Sequence, residues 1–183
     1  MRISRLSLAV AAALGASNCA IFFEEPGSAL AAAAHRGDVA AIRKLVAAGA
    51  DPNGYDATGN TPLHWAARGG HPVGPHRCRG EDASRVDVID ALLDLGADPN
   101  ALDHRQSVPG GSSGWTPLHM ALHHEQFATA ARLLERGADP NIRTQEGYLS
   151  LAIAADEGAP PDLLTKMLAK GFDPREARIP ERR

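Results

Sequence analysis

The sequence predicts an all-α fold, a solenoid of about four stacked helix-turn-helix repeats joined by β-hairpin-type loops. The pentapeptide Gly-Ala-Asp-Pro-Asn occurs three times, at residues 49–53, 96–100 and 137–141, and residues 171–174 hold a degenerate fourth copy. Only 4% of the residues are aromatic, whereas alanine and glycine are abundant. This composition favours small, closely packed helices over a sheet core of bulky side chains.

The first residues have the form of a signal peptide. Arg2 and Arg5 precede the apolar run Leu6 to Ala16, which is well short of the roughly 20 residues that span a bilayer. We therefore expect residues 1–18 to be an export signal, and a frayed hydrophobic helix is the alternative. The mature protein is expected to be exported, either into the periplasm of a bacterium or as a lipoprotein tethered to the bacterial membrane.

The end of this signal also resembles a bacterial lipobox. In a lipobox a small residue precedes the cysteine that is acylated; Ala16 suits the first place of the motif, whereas Asn18 just before Cys19 departs from the pattern. Lipidation of Cys19 and ordinary cleavage nearby therefore both stay open, and the lipid on Cys19 is the only membrane contact expected. Residues 19–27 then form a linker.

A second motif marks where helices begin inside the repeats. Residues 61–64 and 116–119 both read Thr-Pro-Leu-His. A threonine hydroxyl can cap a helix N-terminus, and proline suits the first helical position because no hydrogen bond is lost there. Alanines follow and keep the helix thin, a leucine-containing second helix comes next, and the pentapeptide glycine closes it in a left-handed conformation.

These motifs resemble ankyrin repeats, and the resemblance covers about Ser28 to Asp173. It implies an ankyrin domain at residues 28–175 followed by a polar tail at 176–183. The repeats are expected at about 28–56, 57–103, 104–144 and 145–175. The first and last lack the Thr-Pro start, as capping repeats do when one face meets water.

Two repeats exceed the family period of about 33 residues. The extra residues lie at 70–83, which contain HPVGPHRCRG, and at 104–114 in a hairpin arm. Both segments are rich in glycine, proline or serine, which predicts inserted loops.

The loop at 70–83 carries donors that transition metals prefer. His71, His76 and Cys78 lie within it, but their spacing is not Cys-x-x-Cys or His-x-x-x-His. Cys78 has no evident disulfide partner if Cys19 is lipidated. A solvent-exposed loop is favoured, and we predict no metal and no cofactor.

The sequence contains no His-Glu-x-x-His motif and no phosphate-binding glycine loop. The resemblance implies that His64 and His119 bond the backbone between adjacent repeats. The net charge of -3, without a basic run, argues against nucleic-acid binding. The chain is not predicted to be an enzyme.

The resemblance implies a protein partner on the concave side, formed by hairpin tips and the ends of first helices. The predicted binding residues are Arg68, Trp115, His123, His124, Tyr148, Asp156 and Glu157. The same mapping adds His35, Arg36, Gly69 and Asn60. Along this surface the charged residues change from basic in the first repeats to acidic in the last repeat. Exposed aromatics are common interface anchors, but Trp115 and Tyr148 can instead shield the core between arms.

The sequence thus predicts a monomeric, non-catalytic protein–protein interaction module of the bacterial envelope, with an unidentified protein partner. Two alternatives stay open. One is a metal- or redox-responsive envelope protein that uses loop 70–83, and the other is a purely structural envelope component.

Overall fold

The computed structural model describes residues 26–69, 83–104 and 113–171. The predicted signal peptide with Cys19, most of the linker and of both insertions, and the tail at 176–183 lie outside the described residues. The described residues form eight helices: α1 (Ala29–Arg36), α2 (Val39–Ala47), α3 (Pro62–Arg68), α4 (Ala83–Asp94), α5 (Pro117–His123), α6 (Phe127–Glu135), α7 (Ser150–Asp156) and α8 (Pro161–Ala169).

The helices pair within repeats and stack between repeats. Each odd-numbered helix packs against the even-numbered helix that follows it, and this pair forms one repeat. The odd-numbered helices also stack on one another in chain order, and the even-numbered helices do the same. We call these the inner row and the outer row. The all-α solenoid of four helix pairs is confirmed.

The core lies between the two rows and consists of small and aliphatic side chains. Ala33, Ala34, Ala66, Ala67 and Ala121 are fully buried in the inner row, because only a methyl group fits between closely stacked helices. The outer row adds larger buried side chains such as Ile42, Leu92 and Leu133. No helix in the described part of the chain is long and apolar enough to cross a membrane.

Helix starts in the two middle repeats follow the Thr-Pro-Leu-His motif. Thr61 and Thr116 have extended backbone, and Pro62 and Pro117 occupy the first turn of α3 and α5. The backbone N–H of each threonine donates to Nδ1 of the motif histidine, at 3.2 Å and 3.1 Å. The same Nδ1 lies 2.8 Å from the threonine hydroxyl in both repeats. The histidine therefore satisfies groups that the helix itself leaves unpaired.

Helix starts in the first repeat use other capping residues. The Ser28 hydroxyl accepts from the N–H of Ala31 at 3.0 Å, and the Asp38 carboxylate accepts from Ala41 at 2.9 Å. Serine and aspartate are strong N-caps, so this repeat needs no Thr-Pro start.

The pentapeptide closes each second helix and ties the repeats together. Gly49, Gly96 and Gly137 have φ of 98°, 92° and 100°, which confirms their left-handed conformation. The Asn53 amide then donates to the carbonyl of Gly96 at 2.9 Å, and its oxygen accepts from the N–H of Asp98 at 2.7 Å. The corresponding asparagine of the next repeat makes the same pair of contacts, at 3.4 Å and 2.8 Å.

The connecting arms are hairpin-like, with one isolated β-bridge between Arg143 and Leu149 among the described residues. In each arm a backbone N–H donates to a carbonyl oxygen across the arm: Asp56 to Asn60, Asp103 to Trp115, and Thr144 to Tyr148, at 2.8–2.9 Å. Adjacent arms also bond, since His104 donates to Gly59 at 2.8 Å. The arms therefore stack in step with the helices.

Candidate protein-binding surface

The predicted binding residues lie along the C-terminal ends of the inner-row helices and the arms that precede them. His35 and Arg36 end α1, Arg68 ends α3, and His123 and Asp156 end α5 and α7. Because these helices stack side by side, their ends form one continuous surface. We call it the inner strip, and define it as Arg36, Arg68, Trp115, His123, His124, Tyr148, Asp156 and Glu157.

Four residues of the inner strip contact one another across repeats 3 and 4. The rings of Trp115 and His123 meet edge to face with centroids 5.1 Å apart, and His123 and His124 do so at 5.3 Å. Nδ1 of His123 lies 3.0 Å from Oε1 of Glu157. The His123 side chain is 51% exposed, so the centre of this cluster is open to solvent.

Trp115 has one face in the core and one on the strip. It is half-buried and packs against the core cluster, as the shielding interpretation predicts. Its ring also contacts the rings of His119 and His123. Its indole N–H is buried and makes no hydrogen bond of standard geometry with a described residue. Trp115 therefore serves the packing of repeat 3 and also supports the exposed His123 ring.

The basic end of the strip is organised around Trp65. The guanidinium carbon of Arg68 lies 5.3 Å from the Trp65 ring centroid, a cation–π contact. Trp65 is buried and meets the His35 ring edge to face at 5.4 Å. Its Nε1 donates to Asp56 at 2.8 Å. Arg68 is therefore held in place by a fixed aromatic ring.

Asp56 organises the arm beneath this basic end. Its carboxylate accepts from the N–H of Gly27 and Thr58 and from the Thr58 hydroxyl, at 2.6–2.9 Å. Burial by itself raises the pKa of Asp56, but these hydrogen bonds and those from Asn60 and Trp65 lower it below the ordinary value.

The remaining strip positions differ in exposure. Asp156 is exposed and Tyr148 is half-buried. Asn60 occupies the arm position just before the motif threonine and is buried, with only 2% of the residue exposed. Its amide donates to the Thr58 hydroxyl at 2.9 Å, and its backbone N–H donates to the Asp56 carboxylate at 3.2 Å.

The two motif histidines have structural contacts. Nε2 of His64 lies 2.9 Å from the carbonyl oxygen of Trp115, so the ring joins repeat 2 to repeat 3. His119 occupies the same position in repeat 3, facing the backbone of Ile142 and Tyr148. Burial, with a smaller effect from His64, lowers the pKa of His119 to about 4, while those two backbone groups oppose the shift. A neutral, buried imidazole of this kind is a packing and hydrogen-bonding group.

Two features of the strip region were missed from the sequence. Glu125 follows α5 with φ of 57°, the only non-glycine residue with positive φ among those described. Gly37 and Gly158 occupy the same turn in repeats 1 and 4, with φ of 82° and 70°. The absence of glycine from this turn in repeat 3 was the available signal.

The second missed feature is Arg85 at the start of α4. Its guanidinium donates to the carbonyls of Ala34 and His35, at 3.2 Å and 2.7 Å. It therefore caps the end of α1 from the neighbouring repeat, next to the basic end of the strip. No local pattern indicates such a contact, because the partners are about 50 residues apart.

The described residues hold no group of three or more His, Cys, Asp or Glu side chains arranged to bind a metal ion. His71, His76 and Cys78 lie outside the described residues. What the inner strip offers is a mixed surface of cations, imidazoles, aromatic edges and carboxylates, which is suited to binding another macromolecule by complementarity.

Comparison with known protein families gives a consistent result. The family model described as ankyrin repeat matches residues 58–104 and 113–145. A related model, ankyrin repeats (many copies), matches residues 30–73. The fourth helix pair, α7 and α8, lies beyond these matches but repeats the same architecture.

Several curated proteins are similar to the chain. The E3 ubiquitin-protein ligase KEG of Arabidopsis thaliana is 34% identical over 63% of this chain and 6% of its own length. The palmitoyltransferase Hip14 of Drosophila melanogaster is 34% identical over 61% of the chain and 14% of its own length. The potassium channel KOR2 of Oryza sativa subsp. japonica is 31% identical over 69% of the chain and 23% of its own length. The chain thus spans less than a quarter of each of these three relatives.

Proposed function

Because the chain belongs to the ankyrin repeat family, we propose that it is a non-catalytic protein-binding module whose partner docks on the inner strip. Ankyrin repeats are interaction modules, and stacked repeats present extended surfaces for binding. The observation that carries the proposal is the cluster of Trp115, His123, His124 and Glu157, which joins two repeats into one exposed mixed surface.

The chemistry of the strip supports a protein partner. Aromatic rings and charged groups that are already held by their neighbours lose little conformational freedom on binding. Arg68 is oriented by Trp65, and His123 is oriented by Trp115 and Glu157. The strip also changes from Arg36 and Arg68 at one end to Asp156 and Glu157 at the other, which would fix the orientation of a bound partner.

We propose no catalytic activity for the chain. The ligase, transferase and channel named among its relatives differ from one another, and the chain matches only a small share of each. The part common to such different proteins supports binding and gives no support for any one of their activities.

The proposed setting is the bacterial envelope, with the chain acting as a monomer. Arg2, Arg5 and the apolar run that follows support export, and Cys19 is the proposed lipidation site. Fractionation of the native host and the intact mass of the mature protein test this directly. A protein that keeps residues 1–18 in the cytoplasmic fraction would refute export, and a mature mass without acyl chains would refute the lipid.

The binding proposal is tested by capture from the envelope fraction with the full-length chain as bait. A His123→Ala, Glu157→Gln variant should lose the captured partner, while its thermal unfolding stays close to that of the parent. Lys166→Ala is the matched control, because it removes an exposed charge from the outer row, where Lys166 pairs with Glu135 at 2.9 Å. Equal capture by the strip variant and the parent, or loss of capture by the Lys166 variant alone, would place the binding surface elsewhere.

A further inference from the structure

One of the three equivalent turns contains an Asn-Gly junction. Asn53 is followed by Gly54, whereas Asn100 is followed by Ala101 and Asn141 by Ile142. Because glycine has no Cβ, its backbone nitrogen can approach and attack the side-chain carbonyl carbon of the preceding asparagine. The turn after repeat 1 therefore differs chemically from the other two.

Asn53 also has a structural task between repeats. Its Nδ2 donates to the carbonyl of Gly96 at 2.9 Å, and its Oδ1 accepts from the N–H of Asp98 at 2.7 Å. One primary amide thus supplies both a donor and an acceptor across the junction of repeats 1 and 2. The side chain lies near the surface, so water can reach it.

We propose that Asn53 is a site of spontaneous deamidation, and that its conversion loosens repeat 1 from repeat 2. The backbone nitrogen of Gly54 loses its proton and bonds to Cγ of Asn53, and the side-chain nitrogen leaves as ammonia. Water then opens the cyclic imide at either carbonyl, which gives aspartate or isoaspartate. No electron donor or acceptor takes part.

The folded array restrains this reaction. The N–H of Gly54 donates to the carbonyl of Asp51 at 3.1 Å, and the two bonds to repeat 2 restrict rotation of the Asn53 side chain. The reaction therefore proceeds when the turn opens. Among the described helices, α1 and α2 stack against one neighbouring pair, and a pair with one neighbour opens more readily than a pair held on both sides.

The product cannot replace the lost contact. A carboxylate still accepts from the N–H of Asp98, but it has no proton to donate to the carbonyl of Gly96, so two oxygens face each other. Isoaspartate also lengthens the main chain within the turn. Both products weaken the bond between the first two repeats, and this consequence does not depend on which partner the protein binds.

The rate is tested by ageing the full-length chain at neutral and alkaline pH. Peptide mapping and isoaspartyl methyltransferase labelling then measure conversion at each asparagine. Asn100 is the internal control, because it makes the same contacts with the next repeat. We expect conversion several-fold faster at Asn53 than at Asn100, and equal rates at the two sites would overturn the proposal.

Gly54→Ala is the matched variant. Gly54 does not have a positive φ, and an added Cβ would lie 3.2 Å from the carbonyl oxygen of Asp51. Alanine occupies the equivalent position, Ala101, in the next turn. This variant should reduce conversion at Asn53 to the rate at Asn100. Unchanged conversion would show that Gly54 is not the cause.

The structural consequence is tested with Asn53→Asp by hydrogen exchange. Amides of α1 and α2 should lose protection, while those of α6 keep it. If this variant does not fold, the aged parent is separated by charge and its converted fraction is measured in the same way. Unchanged protection of α1 and α2 would refute the loosening.

Discussion

The guanidinium of Arg85 donates to the carbonyl oxygen of His35 at 2.7 Å and to that of Ala34 at 3.2 Å. One side chain of repeat 2 therefore completes the end of a helix in repeat 1. Burial lowers the pKa of Arg85, yet a guanidinium stays charged in proteins. Its hydrogen bonds to helix-end carbonyls are accordingly of the stronger, charge-assisted kind.

Arg85→Ala should lower the free energy of unfolding by about 2 kcal/mol, because it leaves two carbonyls without their charged donor. Arg85→Lys should recover part of this loss, since one ammonium keeps the charge but lacks the fork geometry. Denaturant unfolding monitored by circular dichroism gives both values. An Arg85→Ala variant as stable as the parent would mean that water replaces the guanidinium without cost.

Glu125→Gly should stabilise the protein by about 0.5 to 1 kcal/mol. A left-handed conformation costs an L-residue about 1–2 kcal/mol, and the greater freedom of glycine in the unfolded chain offsets part of the gain. Gly37 and Gly158 show that glycine fits this turn. Glu125→Ala is the control, because it removes the carboxylate and keeps the strain. Thermal unfolding compares the two, and a similar gain from alanine would indicate that charge is the cause.

His119 should make stability depend on pH. Its pKa is about 4 in the folded protein against 6.5 for the free side chain, so the unfolded chain binds a proton more readily. The stabilising effect is complete above pH 6.5 and is lost as the pH falls towards about 4, at a cost of at most about 3 kcal/mol.

Denaturant unfolding across this pH range measures the effect. A His119→Gln variant, which lacks the titrating ring, should lose less stability than the parent over the same range. Other groups titrate in both proteins, so the informative quantity is the difference between the two curves. Parallel curves would show that His119 is not responsible.

Trp115→Phe should leave stability within about 1 kcal/mol of the parent, because it keeps most of the ring and removes a buried N–H that makes no hydrogen bond among the described residues. Leu92→Ala should cost about 2–5 kcal/mol, because Leu92 is fully buried. Thermal unfolding separates the two. A large loss in the phenylalanine variant would reveal a hidden partner for the indole nitrogen.

Much of the fold could be predicted from local sequence. The Thr-Pro starts of α3 and α5 and the closing glycines at 49, 96 and 137 act within one turn of the chain, so their residue types indicate the geometry directly. The last repeat lacks these cues. Its helix α7 still begins at Ser150, because the preceding arm and the stack beneath it fix its place.

The positions of the candidate-site residues in the repeats could be predicted from the sequence, but the contacts between their side chains could not. Repeat spacing places His123 and Glu157 at the ends of successive inner helices, yet their 3.0 Å contact depends on the rotation of each helix. The outer-row ion pairs were missed for the same reason. Asp90 accepts from Arg132 at 2.8 Å and from Arg136 at 2.7 Å. These partners are far apart in sequence, so no local sequence pattern predicts the contacts.

The inserted segment at residues 70–83, which the sequence predicts to be a loop, should be dispensable for folding. Replacing it with a short turn changes closure entropy by only a few tenths to about 1 kcal/mol, and the contacts of Arg85 with α1 hold the start of α4 independently of the loop. Thermal unfolding with and without zinc, in the parent and in a His71, His76, Cys78 triple-alanine variant, provides the second readout. Zinc stabilisation of the parent alone would favour the metal-responsive alternative.

The stacking of each row in chain order also bears on how fast the protein folds. Its main helix contacts join segments that are close in sequence, within one repeat or between successive ones. Chains with such local contacts close short loops first and fold rapidly, and any adjacent pair of repeats can serve as the nucleus. Folding would then spread outward by addition of single repeats, so that during synthesis the N-terminal pairs can assemble before the last helix has been made.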